Sequence, residues 1–206
     1  MRDDETNVGE VPSMRQVYKS YRGKGKGMDE KSPSYSLSQK GARFLGAWEG
    51  YRAEPYNDSR MNATIGIGHL IHYGPVTPAD IIHWGKITYP HALALLQADV
   101  YRTSIPYLIH NVKVSLTTAQ IDALISLAFN CGPASLRAEG SVMLAVNSKP
   151  KRWNPLQIER WHSRIRIAFM NWAHPSELTR RRQSEFTLFN TGKYFTPANQ
   201  YSNANG

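Results

Sequence analysis

From about residue 36 onward, apolar positions recur at helical spacing, give way to a short stretch of alternation, and then return to helical spacing for the rest of the chain. In SLSQKGARFLGAWEG, Ala42, Phe44, Leu45 and Trp48 form one helical face, Ser38 is a suitable N-cap, and Glu49 falls at the C-terminal end. Short extended pieces follow: EPYND, a turn at DSRMN, then ATIGIGHLI, whose β-branched and glycine alternation suits a small antiparallel sheet.

After HYGPV the pattern is helical. TPAD carries a start signal, with Thr77 as cap, Pro78 at the first helical position and Asp80 three residues after the cap. Thr88 and Pro90 open a long helix with Leu93, Leu96, Val100 and Ile105 on its apolar side, disturbed near Pro106. TTAQIDALISLAFNCG is the clearest helix, with Thr117 and Gln120 in capping-box register, a stripe of Ile121, Leu124, Ile125, Ala128 and Phe129, and a stop at Gly132 and Pro133. Shorter helices are expected through SVMLAVN, NPLQIERWHSRIRIAFMNW and SELTRRRQSEFTLFN. One helix, a small sheet and then many helices make an α+β fold rather than alternating β/α units.

Residues 1–35 lack any sustained period and carry the cluster KSYRGKGKG, which reads as a flexible basic tail or linker; the folded unit is expected over residues 36–198, with a flexible C-terminus at 199–206. The 206-residue length, 41% hydrophobic and 11% aromatic content supply one real core. A single cysteine, Cys131, excludes an intrachain disulfide framework and any multi-thiolate metal site. The net charge of +9 favours polyanionic partners, among them nucleic acid, anionic membrane and bacterial wall polymers. The N-terminus shows no signal-peptide pattern, and no stretch has transmembrane length.

The bend between Glu49 and Thr64 carries the candidate chemistry. Glycosidic hydrolysis takes one carboxylic acid to protonate the leaving oxygen and one carboxylate to activate water or attack carbon. Glu49, closing a helix beside Trp48, suits the acid, and Asp58, in the polar turn YNDSR, suits the ionised partner. Thr64 is placed to share a water with Asp58 across the bend.

The stretch EGYRAEPYNDSRMNATIGIGHL closely resembles the catalytic segment of phage-type lysozymes, glycoside hydrolase family twenty-four, which includes the lysozyme of T-even bacteriophages. The family pattern is a glutamate, eight residues, an aspartate or cysteine, five residues and a threonine, followed by Ile/Val-Gly-x-Gly-His; Glu49, Asp58, Thr64, Gly66, Gly68 and His69 match it. LISLAFNCGPAS, SVMLAVN and ELTRRRQSEFTLFNTG are similar to later family segments. The resemblance implies a lysozyme-like fold, with a small N-terminal sheet lobe, a larger helical lobe and a cleft between them. It implies cleavage of the β-1,4 bond between N-acetylmuramic acid and N-acetylglucosamine by single displacement with inversion, with no metal and no cofactor.

It further implies Glu49 as acid, Asp58 as water-orienting base and Thr64 as assisting hydroxyl, with Leu70, Phe129 and Ser141 lining the sugar cleft. His69 is expected to support the lobe interface, and Arg181 is the closest match by register for an arginine paired with Glu49, in a run that also holds Arg180 and Arg182. The family's glycines before the closing arginines are replaced here by NWAHPSEL, which bears on the cleft edges.

The implied partners are peptidoglycan glycan strands, with an immunity protein or a delivery apparatus as further candidates; specific nucleic-acid binding and membrane insertion are not expected, and a monomer is. Synthesis in a bacterial host cytoplasm and action in the periplasm or wall is the expected route, as an endolysin, with a secreted effector, a tail lysozyme or a non-catalytic wall-binding module as alternatives. Other residues read more plainly: Glu54 as an exposed strand residue, His69 and His72 as too sparse for a metal site, Cys131 as a small buried hydrophobe, and the GIGH glycines as positions of close backbone packing.

Overall fold

The computed structural model describes residues 35–152 and 154–197. The tail expected over residues 1–35 lies outside them except for Tyr35, and so does the expected C-terminal segment 199–206. The described chain runs α1 (Gln39–Glu49), β1 (Arg52–Asn57), β2 (Ala63–Gly66), β3 (His69–His72), α2 (Pro78–Trp84), α3 (Tyr89–Thr103), α4 (Ile105–Asn111), α5 (Thr118–Cys131), α6 (Ser141–Asn147), α7 (Pro155–Met170) and α8 (Thr179–Thr191). Short 3-10 turns at Pro133–Leu136 and Ser176–Leu178 precede α6 and α8.

The start signals act as the sequence suggests. Ser38 accepts the Gly41 N–H, and reciprocal capping boxes form at Thr77 with Asp80 and at Thr117 with Gln120. The helix disturbed near Pro106 is two helices: α3 ends at Thr103, and α4 restarts at Ile105 with Pro106 in its first turn, where a missing N–H costs nothing.

Helix α5 departs from the stripe expected of it. Every residue from Asp122 to Ala128 is buried, because α1 packs against it on one side and α8 along another. Its polar residues are therefore internal. Asp122, 1% exposed, accepts the N–H and hydroxyl of Ser38 at 2.9 and 2.5 Å and the Tyr194 hydroxyl at 2.7 Å. That one carboxylate ties the start of α1 and the chain leaving α8 to the central helix. Gly41 is required there, since a Cβ would sit 2.4 Å from the Asp122 carboxyl carbon.

The sheet is antiparallel in the order β1-β2-β3. ATIGIGHLI is thus two strands, and Gly66 and Gly68, at φ of 67° and 71°, flank the tight connection between them. Gly66 also approaches α3 closely, as a Cβ there would meet Ala92 at 3.1 Å; Gly68 is needed for its backbone conformation, not for close packing. Ala63, Ile65 and Ile67 are fully buried, and Ile65 and Ile67 join the core formed with Phe44, Leu45, Leu96, Leu124 and Phe169. Truncating a residue such as Phe44 costs about 3–5 kcal/mol at a site of this kind.

Candidate active site

Glu49 is the last residue of α1, and Gly50, at φ 80°, turns the chain out into β1. Its side chain is 23% exposed, shielded yet reachable, and its Oε1 lies 2.7 Å from Arg181 Nη2. Of the three consecutive arginines, Arg181 on α8 is the one that makes this pair. Arg181 is itself fixed: Nε pairs with Glu185 Oε1 at 3.1 Å and Nη2 donates to the Ser126 carbonyl at 3.3 Å.

Behind it, Glu185 is fully buried, receives the Ser126 hydroxyl at 2.6 Å, and faces Arg182 Nε at 3.0 Å. Burial pushes the Glu185 carboxyl up, and the Arg182 and Arg181 guanidiniums oppose the rise. Breaking such a cluster by removing one member costs about 3–5 kcal/mol, so the guanidinium at Glu49 stands on a rigid base.

Arg182 also donates to Asn130 Oδ1 at 2.9 Å and to Cys131 Sγ at 2.8 Å. Cys131 is half-buried and held by that arginine, so it is more than the buried hydrophobe expected. Burial raises its thiol, with Arg182 opposing the rise.

Asp58 sits in the turn between β1 and β2. Its Oδ1 accepts the backbone N–H groups of Arg60 and Asn62, each at 2.8 Å, and its Oδ2 accepts Asn62 Nδ2 at 3.3 Å. These bonds, the Asn62 N–H foremost, hold the Asp58 carboxyl below the usual carboxylate range. Thr64, 4% exposed, donates its hydroxyl to the Asn62 carbonyl at 3.1 Å.

Asn62 thus serves both residues: its carbonyl also takes the Asp58 N–H at 3.0 Å, and its side-chain oxygen takes the Gly74 N–H at 3.2 Å. Sequence reasoning missed it, because an asparagine in SRMNAT reads as a turn former.

His69 Nδ1 lies 2.8 Å from Asp99 Oδ2, bracing β3 against α3. Leu70 is 40% exposed on β3, directly opposite Thr64 in the sheet register. Phe129 lies partly buried near the end of α5, its ring edge against Gly68, where a Cβ would stand 3.7 Å away. Ser141 is the exposed first residue of α6 and makes no hydrogen bond to the other candidates among the described residues. Glu54 pairs with Lys86 at 3.1 Å on the surface, and His72 bonds Asp80 at 2.8 Å.

A family model described as Phage lysozyme matches residues 46–185, which run from the last turn of α1 to Glu185. The chain belongs to the phage lysozyme family. It is 31% identical over 159 residues to the endolysin of Salmonella phage P22, covering 74% of this chain and 97% of that protein. It is 30% identical over 166 residues to the endolysin of Bacillus phage PZA, covering 79% of this chain and 57% of that one, so the chain spans little more than half the length of that relative. Among solved structures, the muramidase domain of SpmX from Asticaccaulis excentricus is similar at a TM-score of 0.58 and 26% identity, over 76% of this chain and 99% of that one. The fold is lysozyme-like, and the family match takes in Glu49, Asp58, Thr64 and Arg181.

Proposed function

We propose that this chain is a peptidoglycan hydrolase, a muramidase that cleaves the β-1,4 bond between N-acetylmuramic acid and N-acetylglucosamine, and that its role is lysis of a bacterial host wall as an endolysin. The observation that carries the reading is the division of labour across the bend. Glu49 is held by a buried arginine at 2.7 Å, while Asp58 and Thr64 are both tied to Asn62.

In this reading Glu49 protonates the leaving oxygen. Asp58, kept ionised by the N–H groups around it, takes a proton from the attacking water. Thr64 spends its own hydrogen on the Asn62 carbonyl, so its oxygen remains an acceptor and orients the same water. Water attacks the anomeric carbon as the glycosidic bond breaks, and the configuration inverts. Leu70, Phe129 and Ser141 contact the glycan. Synthesis in the host cytoplasm and action in the periplasm or wall fit the similarity to endolysins, and among the described residues no helix is long and apolar enough to cross a membrane.

The test is clearance of permeabilised Gram-negative cells followed by turbidity. Glu49→Gln keeps the size of the side chain but has no proton to give, and is expected to lower the rate by at least about 10²–10⁴ with the fold intact. Wild-type clearance by the folded variant would remove Glu49 from the chemistry.

A further inference from the structure

The register of the sheet places a third side chain beside Thr64 and Leu70. Tyr56 of β1 is paired with Thr64 of β2, and Thr64 is paired with Leu70 of β3, so the three form one row across the sheet. Directly opposed residues of an antiparallel pair share a face. The neighbouring buried residues Ala63 and Ile65 turn the other way, so the row lies on the face opposite them. Tyr56 therefore belongs to the surface that carries Thr64 and Leu70, although no role has been given to it.

Its surroundings hold it in place. The Arg52 guanidinium carbon lies 4.4 Å from the centre of the Tyr56 ring, a cation–π contact that fixes the ring without using the hydroxyl. That leaves the phenolic hydrogen to be donated elsewhere.

The surroundings favour the protonated phenol. Burial pushes the phenol up, Arg52 pulls it back, and the negative charges of Asp58 and Glu49 both add to the rise. The hydroxyl thus keeps the proton that a donor needs.

Resting on the muramidase reading above, we infer that Tyr56 is a substrate-contacting residue whose hydroxyl donates a hydrogen bond to the sugar lying between Glu49 and Asp58, and that this bond tightens as the glycosidic bond breaks. The ring is fixed by Arg52, so the donor is aimed before the glycan arrives. A preorganised donor of this kind favours the transition state over the bound ground state.

The test is Tyr56→Phe, which keeps the ring, its packing and its contact with Arg52 and removes only the hydroxyl. On a soluble glycan of defined length cut from purified sacculi, kcat is expected to fall by about tenfold or more, with KM nearly unchanged and Tm as in the wild type. Binding of the same glycan to Glu49→Gln and to the Glu49→Gln/Tyr56→Phe double variant is expected to agree within about twofold.

Tyr56→Leu, which removes the ring as well, separates donation from packing. If Tyr56→Phe turns over at the wild-type rate while Tyr56→Leu alone is impaired, the residue serves only as a packed ring and the inference is overturned. A wild-type protein that fails to release any glycan fragment would overturn the muramidase reading itself, and this inference with it.

Discussion

Arg181, Arg182 and Glu185 show what one turn of helix decides. Successive residues of α8 are about 100° apart, so Arg181 reaches Glu49 and Ser126 while Arg182 reaches Asn130 and Cys131, and both converge on Glu185. In the sequence the arginine run is three equivalent cations, and register alone pointed to the middle one.

Asn62 and Tyr56 were illegible for a different reason. Their partners follow from turn geometry and strand register, which the letters around them do not encode. Asn62 gives a prediction at this scale. Its side-chain amide is one of the bonds that lower Asp58, after its own backbone N–H and that of Arg60, so Asn62→Ala removes a stabiliser of the carboxylate. The proton affinity of Asp58 then rises. The acidic limb of kcat/KM, which reports the free enzyme, is expected to move to higher pH, and an unmoved limb would count against Asp58 as the base.

Among the elements, helix starts were the most legible, because a cap is a local exchange of hydrogen bonds within four residues. The burial of α5 was the least, since a helix surrounded by neighbours shows no polar face to the solvent. The strand run ATIGIGHLI concealed its turn because glycines at positive φ and glycines in a strand look alike in sequence.

The joint between β3 and α2 makes a pH prediction. Asp80 accepts the Thr77 N–H and hydroxyl and His72 Nε2, and is lowered to about 2, the Thr77 N–H contributing most. His72 is raised, first by the Tyr73 carbonyl and then by Asp80. The stabilisation from a lowered carboxylate is present above its ordinary range and lost as pH falls through about 2. That from a raised histidine is present below about 6.5 and lost as pH rises through its elevated value. Both act together between about pH 4 and 6.5. The Tm difference between wild type and His72→Ala is therefore expected to be larger at about pH 5.5 than at about pH 8.5; equal differences would show that the imidazolium form contributes nothing.

For the whole molecule, the architecture converts a short bend into a site by bracing it from three directions. The α8 cluster fixes Glu49 from behind, Asn62 fixes the Asp58 turn, and the His69 pair with Asp99 binds the sheet to α3. The α+β class and the family motif could be read directly, because the motif is contiguous. The buried base beneath Arg181 could not, since it joins α5 to a helix more than fifty residues later in the chain.

The proposed mechanism requires room for a water between two carboxyl groups, which places them roughly 6.5–9.5 Å apart in inverting enzymes against about 5–5.5 Å in retaining ones. Asp58 is then a base and never bonded to the sugar. NMR of the first sugar released from a β-linked glycan, read before mutarotation, tests this most directly: the account predicts the α-anomer, whereas a first-formed β-anomer would contradict single displacement and make Asp58 a covalent nucleophile.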